Sequence, residues 1–128
     1  MDRAISDPIV YIVEDDFRTR KALRALLEAY DMTVRDYASA DAFLAETGRP
    51  KMACLILDLH MRGMTGLDLL RLLRSQGRVL PVIVMTGDPS LREQADHFGA
   101  SAFLEKPVAT EVLSQTVRRA LSRIDHAL

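Results

Sequence analysis

Four polar clusters in this chain stand where an apolar run stops. Glu14-Asp15-Asp16 follows Ile9-Val10-Tyr11-Ile12-Val13, and Asp58 follows Cys54-Leu55-Ile56-Leu57. Thr86 follows Val82-Ile83-Val84-Met85, and Lys106-Pro107 follows Ala102-Phe103-Leu104-Glu105. Carboxylates, a hydroxyl and an ammonium gathered in one place suit a divalent cation and a phosphoryl group. Mg²⁺ takes one or two protein carboxylates together with waters and phosphoryl oxygens. A carboxylate can act as nucleophile in phosphoryl transfer and form an aspartyl-phosphate. The cation, hydroxyl and ammonium would then spread the negative charge of the transferred group.

Each fragment alone has an ordinary reading. Acidic residues favour helix N-termini, and Asp15 or Asp16 reads as a cap. A strand-end threonine can bond the adjacent turn, and a lysine before proline carries no intrinsic meaning. Asp58 is the hardest to dismiss, because a carboxylate ending so apolar a run is costly to desolvate without compensation. The value of Thr86 and Lys106 is joint with it.

The elements that must position these groups are short β-branched runs separated by helical stretches, the pattern of parallel strands in an open α/β sheet. Strands are expected at Ile9 to Glu14, Met32 to Tyr37, Ala53 to Leu57, Pro81 to Met85 and Ala102 to Leu104. The first helix carries Leu23, Leu26, Leu27 and Tyr30 at helical spacing. A second, from Ala40 to about Glu46, is capped by Ser39 and punctuated by Gly48 and Pro50. A third turns Leu67, Leu70 and Leu73-Arg74 to one side and ends at Gly77. A fourth runs from Pro89 and Ser90 through Phe98, and a fifth from Thr110 to about Arg123 with Val112, Leu113, Val117, Ala120, Leu121 and Ile124 inward. Right-handed crossovers make this a three-layer α/β/α sandwich. Ligands bind at the carboxyl ends of the strands in such sheets, where all four polar clusters fall.

The 128 residues, 48% hydrophobic and 27% charged, are expected to form one domain over 1–128 with its core at about 9–121. A net charge of −1 with interspersed signs gives no case for nucleic-acid or membrane binding. The amino terminus lacks the apolar core of a signal peptide, and no apolar run nears the roughly 20 residues of a membrane span. The single Cys54 has no partner for an internal disulfide and reads as a small hydrophobe within a strand. Together these favour a cytoplasmic location.

The chain resembles the receiver domains of bacterial two-component response regulators from Ile9 to about Ala120. The matching residues are Val13-Glu14-Asp15-Asp16, Leu57-Asp58-Leu59-His60-Met61, Gly66, Met85-Thr86-Gly87 and Glu105-Lys106-Pro107. Segments such as Ser39-Ala40-Asp41-Ala42-Phe43-Leu44 look most like receivers that precede LuxR-type helix-turn-helix domains, the FixJ-like group. The resemblance implies the flavodoxin-like strand order 2-1-3-4-5. It implies Asp58 as phosphoacceptor, with Mg²⁺ on Asp15, Asp58 and the His60 backbone carbonyl, and Glu14 acting through metal-bound water. It further implies Thr86 and Phe103 as switch residues, Lys106 as the phosphate-pairing cation, and a cis peptide between Lys106 and Pro107.

The implied partners are a sensor histidine kinase or a histidine phosphotransfer protein, a second copy of the chain, and a DNA-binding output domain if the chain is a fragment. The expected activity is that of a signalling switch rather than an enzyme. It changes the surface made by the fourth helix, fifth strand and fifth helix. Two alternatives remain open: a receiver-like module that is not phosphorylated, and a Mg²⁺-dependent phosphohydrolase. The second is weakened by His60, which stands where such hydrolases carry another carboxylate.

Three departures from the family pattern stand out. Arg62 occupies a position usually held by proline, which restores a backbone N–H to the loop. Thr86 and Lys106 are separated by 20 positions, two fewer than expected, and Val108 replaces a common phenylalanine. Asp88 and His60 stand where they would flank a water attacking the aspartyl-phosphate.

Overall fold

The structure, a computed structural model, describes residues 8–46 and 52–127, excepting the side chains of 123–127. The strands are β1 (Ile9–Val13), β2 (Thr33–Tyr37), β3 (Ala53–Asp58), β4 (Val82–Thr86) and β5 (Ala102–Glu105). The helices are α1 (Phe17–Ala29), α2 (Ala40–Leu44), α3 (Gly66–Ser75), α4 (Arg92–His97) and α5 (Thr110–Ala127), with a 3-10 turn at Pro89–Leu91 before α4. All neighbouring strands pair in parallel, in the order β2-β1-β3-β4-β5. This is the expected flavodoxin-like α/β/α sandwich.

Successive residues of a strand point to opposite faces, so each central strand feeds two cores. Tyr11, Val13, Leu55, Leu57 and Val84 pack with Phe43, Leu69, Leu70, Leu73 and Ala95 on the α2-α3-α4 side. Val10, Ile12, Cys54, Ile56, Ile83 and Met85 pack with Leu23, Leu27, Leu113 and Val117 on the α1-α5 side. Every residue of β1, β3 and β4 is buried, the signature of parallel strands covered on both faces. Burial pushes the Cys54 thiol up to about 12, leaving it protonated and inert as a small apolar side chain.

The inward side of α3 differs from the expected one: Leu69, Leu70 and Leu73 are buried, whereas Leu67 is only partly so. Leu70 and Leu73 face inward as expected, while Leu69 takes the place of Leu67 on the side where Gly66 is buried against the end of β3. Helix α2 stops at Leu44, short of Glu46, which leaves the helix to accept from the Tyr37 hydroxyl and from Arg35 at 2.9 Å. Gly48 and Pro50 lie outside the described residues. The fourth helix starts as a 3-10 turn capped by Asp88, whose carboxylate accepts from the Ser90 N–H at 3.0 Å. The 3-10 start and six-residue α4 accommodate the short segment between Thr86 and Lys106. Helix α5 runs on to Ala127, since no glycine or proline interrupts it after Thr110. No described helix is long and apolar enough to cross a membrane.

Candidate functional site

The parallel register sets the site. Val13 pairs with Leu57, and Asp58 with Met85, so β1, β3 and β4 end almost level. Glu14 and Asp15 leave β1 beside Asp58, and one carboxylate oxygen from each of the three lies within 4.8 Å of the others. Glu14 and Asp58 are buried, while Asp15 is half-buried. Like charges this close are tolerated only with compensation.

Part of the compensation comes from Lys106. Its backbone N–H donates to the Thr86 carbonyl at 2.8 Å, carrying the β4-β5 ladder one residue past the strand. Its Nζ donates to Glu14 Oε1 at 3.1 Å and stands 3.6 Å from Asp58 Oδ1. The Lys106–Pro107 peptide is cis, as the resemblance implies. The other Glu14 oxygen accepts from the Asp16 N–H at 3.1 Å. Burial nevertheless pushes the Glu14 carboxyl above its ordinary range; the nearby Asp58 charge adds to this, against the pull of the Asp16 N–H and Lys106.

The three carboxylates share one direct ammonium and a few N–H donors, one of them from His60 to Asp58 Oδ1 at 3.3 Å. Such a pocket retains an excess of negative charge and an all-oxygen donor set, which suits a hard divalent cation.

Asp16, not Asp15, caps α1: its carboxylate accepts from the Thr19 N–H at 2.9 Å. That frees Asp15 for the pocket. Thr86 is fully buried, and its Oγ accepts from the Asp88 N–H at 3.2 Å. It thus makes the ordinary turn contact while standing at the end of β4 next to the site. Phe103 is partly buried against the α2-α3-α4 core, with the Arg92 guanidinium 5.4 Å from its ring centre. His60 is 62% exposed, its Nε2 3.6 Å from Asp88 Oδ2.

Three supports complete the site, and two of them escape a reading of residue types. The Arg20 guanidinium donates to the Glu14 carbonyl at 2.9 Å and to Asp36 at 3.1 Å, tying the end of β1 to β2 and α1. The N–H and guanidinium of Arg62 both address Asp15, at 3.1 and 3.5 Å from Oδ2. Gly66 serves close approach rather than a turn: a Cβ there would stand 2.2 Å from the Asp58 carbonyl oxygen. Gly63, with φ of 76°, is the glycine that turns this loop. The glycine eight positions after Asp58 was the available signal for the third support; residue types do not signal the two arginine contacts.

A doubly wound five-stranded parallel sheet with an acidic cluster, a threonine and a lysine at its carboxyl edge defines the receiver class of protein. The response regulator receiver domain model matches residues 10–118, and the chain belongs to that family. It is 39% identical to the transcriptional regulatory protein FixJ of Azorhizobium caulinodans, over 89% of this chain and 55% of the relative. It is 37% identical to the response regulator protein TmoT of Ectopseudomonas mendocina, over 90% of this chain and 53% of that one. The crystal structure of FixJ-N superposes with a TM-score of 0.84 at 36% identity, covering 91% of this chain and 94% of that one. The chain spans about half the length of the curated relatives it matches.

Proposed function

We propose that this chain is a phosphorylation-controlled switch that accepts a phosphoryl group on Asp58. The observation that carries the reading is the placement of Lys106 Nζ, 3.1 Å from Glu14 and 3.6 Å from Asp58, beside three clustered carboxylates. A carboxylate oxygen of Asp58 attacks the donor's phosphorus; the P–O bond forms as the bond to the donor nitrogen breaks. Asp58 needs no base, because an ionised carboxylate is already nucleophilic.

Asp15, Asp58 and the His60 carbonyl, with Glu14 behind them, would hold Mg²⁺, which when bound neutralises charge on the phosphoryl oxygens. Lys106 meets the new anion by exchanging its contact with Glu14 for the phosphoryl oxygens. Thr86 gives up the Asp88 N–H and turns its hydroxyl toward the same group. Phe103 moves inward behind it. One such contact set can bias two states only if they differ by a few kcal/mol.

The donor is a sensor histidine kinase or a histidine phosphotransfer protein, and the reporter surface is α4, β5 and α5. Residues 1–128 act as one receiver unit, a switch rather than a turnover enzyme, in the cytoplasm. The relatives' greater length, and the name of the FixJ relative, favour a DNA-binding output domain beyond this receiver. The near-neutral charge of the receiver itself disfavours direct nucleic-acid binding. A homodimer through the α4-β5-α5 face is the accompanying assembly.

Amide NMR spectra before and after acetyl phosphate with Mg²⁺ test the switch. Shifts reaching from the pocket into α4, β5 and α5 are expected. Shifts confined to residues around Asp58 would leave a phosphoacceptor without a switch.

A further inference from the structure

Arg62 stands 47 positions from Asp15, yet its backbone N–H bonds one oxygen of that residue and its guanidinium forms an ion pair with the same oxygen. The backbone N–H lies 3.1 Å from Asp15 Oδ2 and the guanidinium Nε 3.5 Å from it. The three carboxylates of the pocket are therefore countered by two cations with different characters. Lys106 is a half-buried ammonium, 3.1 Å from Glu14 and 3.6 Å from Asp58. Arg62 is a guanidinium on a 92% exposed side chain, its Nε 3.5 Å from Asp15 Oδ2. An arginine so exposed is held weakly, because solvent screens the pair and ordering the long side chain costs entropy.

Resting on the magnesium reading above, we propose that Arg62 is an internal competitor for the divalent cation at Asp15. Its guanidinium serves as counter-ion while the pocket lacks magnesium, and must leave before Asp15 can ligate. The exposure that makes the contact weak also makes the exchange easy: the Arg62 side chain is 92% exposed, against 31% for Lys106. Arg62 thereby raises the magnesium concentration the pocket requires without blocking it. A proline at this position would supply neither donor.

The test titrates the whole chain with magnesium chloride alone, without phosphodonor, following amide signals of residues 59–65 by NMR. Wild type is compared with Arg62→Gln, which keeps the backbone N–H, and with Arg62→Lys, which keeps the charge. At low ionic strength Arg62→Gln is expected to bind Mg²⁺ about 1.5- to 5-fold more tightly, the range of an exposed ion pair. Arg62→Lys should fall nearer wild type. The gap should narrow at about 1 M salt, where the screening length shrinks to roughly 3 Å.

Equal affinities for wild type and Arg62→Gln at low salt overturn the proposal. So does a gap unchanged by salt, which would mark a loop rearrangement instead of charge competition. Absence of saturable binding in all three proteins overturns the magnesium reading itself, and the competitor with it.

Discussion

Replacing Gly66 by alanine puts one methyl group where the backbone leaves no room. The added carbon would sit 2.2 Å from the Asp58 carbonyl oxygen, 2.7 Å from Leu59 Cα and 2.9 Å from the Asp58 carbonyl carbon. The first contact is more than an ångström inside ordinary van der Waals distance, and none of the three atoms belongs to a side chain that can rotate away. Either the start of α3 or the end of β3 must shift, against cores in which Leu57, Leu69 and Leu70 are fully buried.

Overpacking costs about 1–3 kcal/mol in typical cores, and more where only backbone can give. Alanine recovers up to about 1 kcal/mol of helix propensity, less at a first-turn position. The net expectation is a loss of about 3 kcal/mol in urea or thermal unfolding, a large share of an ordinary domain's stability. The group displaced is the carbonyl of Asp58 itself, so acetyl phosphate should label the folded variant more slowly as well. A variant within about 0.5 kcal/mol of wild type, labelled at the wild-type rate, would refute the close-approach argument.

Further outcomes follow from the charges. Asp36 is half-buried among Arg20, Lys21 and Arg24; burial raises its carboxyl, but the hydrogen bonds from Arg24 and Arg20 and the charges of Lys21 and Arg24 outweigh that and hold it below its ordinary 3.8. A depressed carboxyl contributes stability that is present above pH 3.8 and lost as pH falls through the lower folded value. Asp36→Ala should therefore cost about 2 kcal/mol at pH 7, measured by urea unfolding, with the difference shrinking in strong acid.

Glu14 runs the other way. Its raised carboxyl favours folding below its ordinary 4.5 and loses that contribution as pH rises through the folded value. Glu14→Gln should thus be at least as stable as wild type at pH 7 in magnesium-free buffer, and bind Mg²⁺ more weakly. A less stable Glu14→Gln would mean the Lys106 contact outweighs burial. Replacing His60 and Asp88, which stand 3.6 Å apart, should change the lifetime of the aspartyl-phosphate; an unaltered lifetime would remove them from the path of the attacking water.

The sheet and the gathering of the site were legible for a common reason. Parallel strands buried on both faces must be apolar throughout, so each run of β-branched residues announces its own end, and a polar residue there lies on the ligand-binding edge. Glu14, Asp15, Asp58, Thr86 and Lys106 all follow from that rule, and the structure brings the three carboxylates and the lysine together. Where sequence and structure part, the cause is tertiary. Leucines at 67, 69, 70, 72 and 73 leave the inward side of α3 ambiguous, and packing against the sheet selects Leu69, Leu70 and Leu73. Glu46 lies just past α2, its carboxylate held by Tyr37 and Arg35 of β2, partners that local sequence does not announce. The Arg62–Asp15 and Arg20–Glu14 contacts join loops and strand ends through side-chain reach. Nothing in local composition distinguishes those arginines from solvated ones.

Intact-mass measurement after incubation with acetyl phosphate and Mg²⁺, on wild type and Asp58→Asn in parallel, bears most directly on the account. One phosphoryl group on wild type and none on the asparagine variant is the predicted result. Equal labelling of both proteins, or of neither while Mg²⁺ binds, would contradict it.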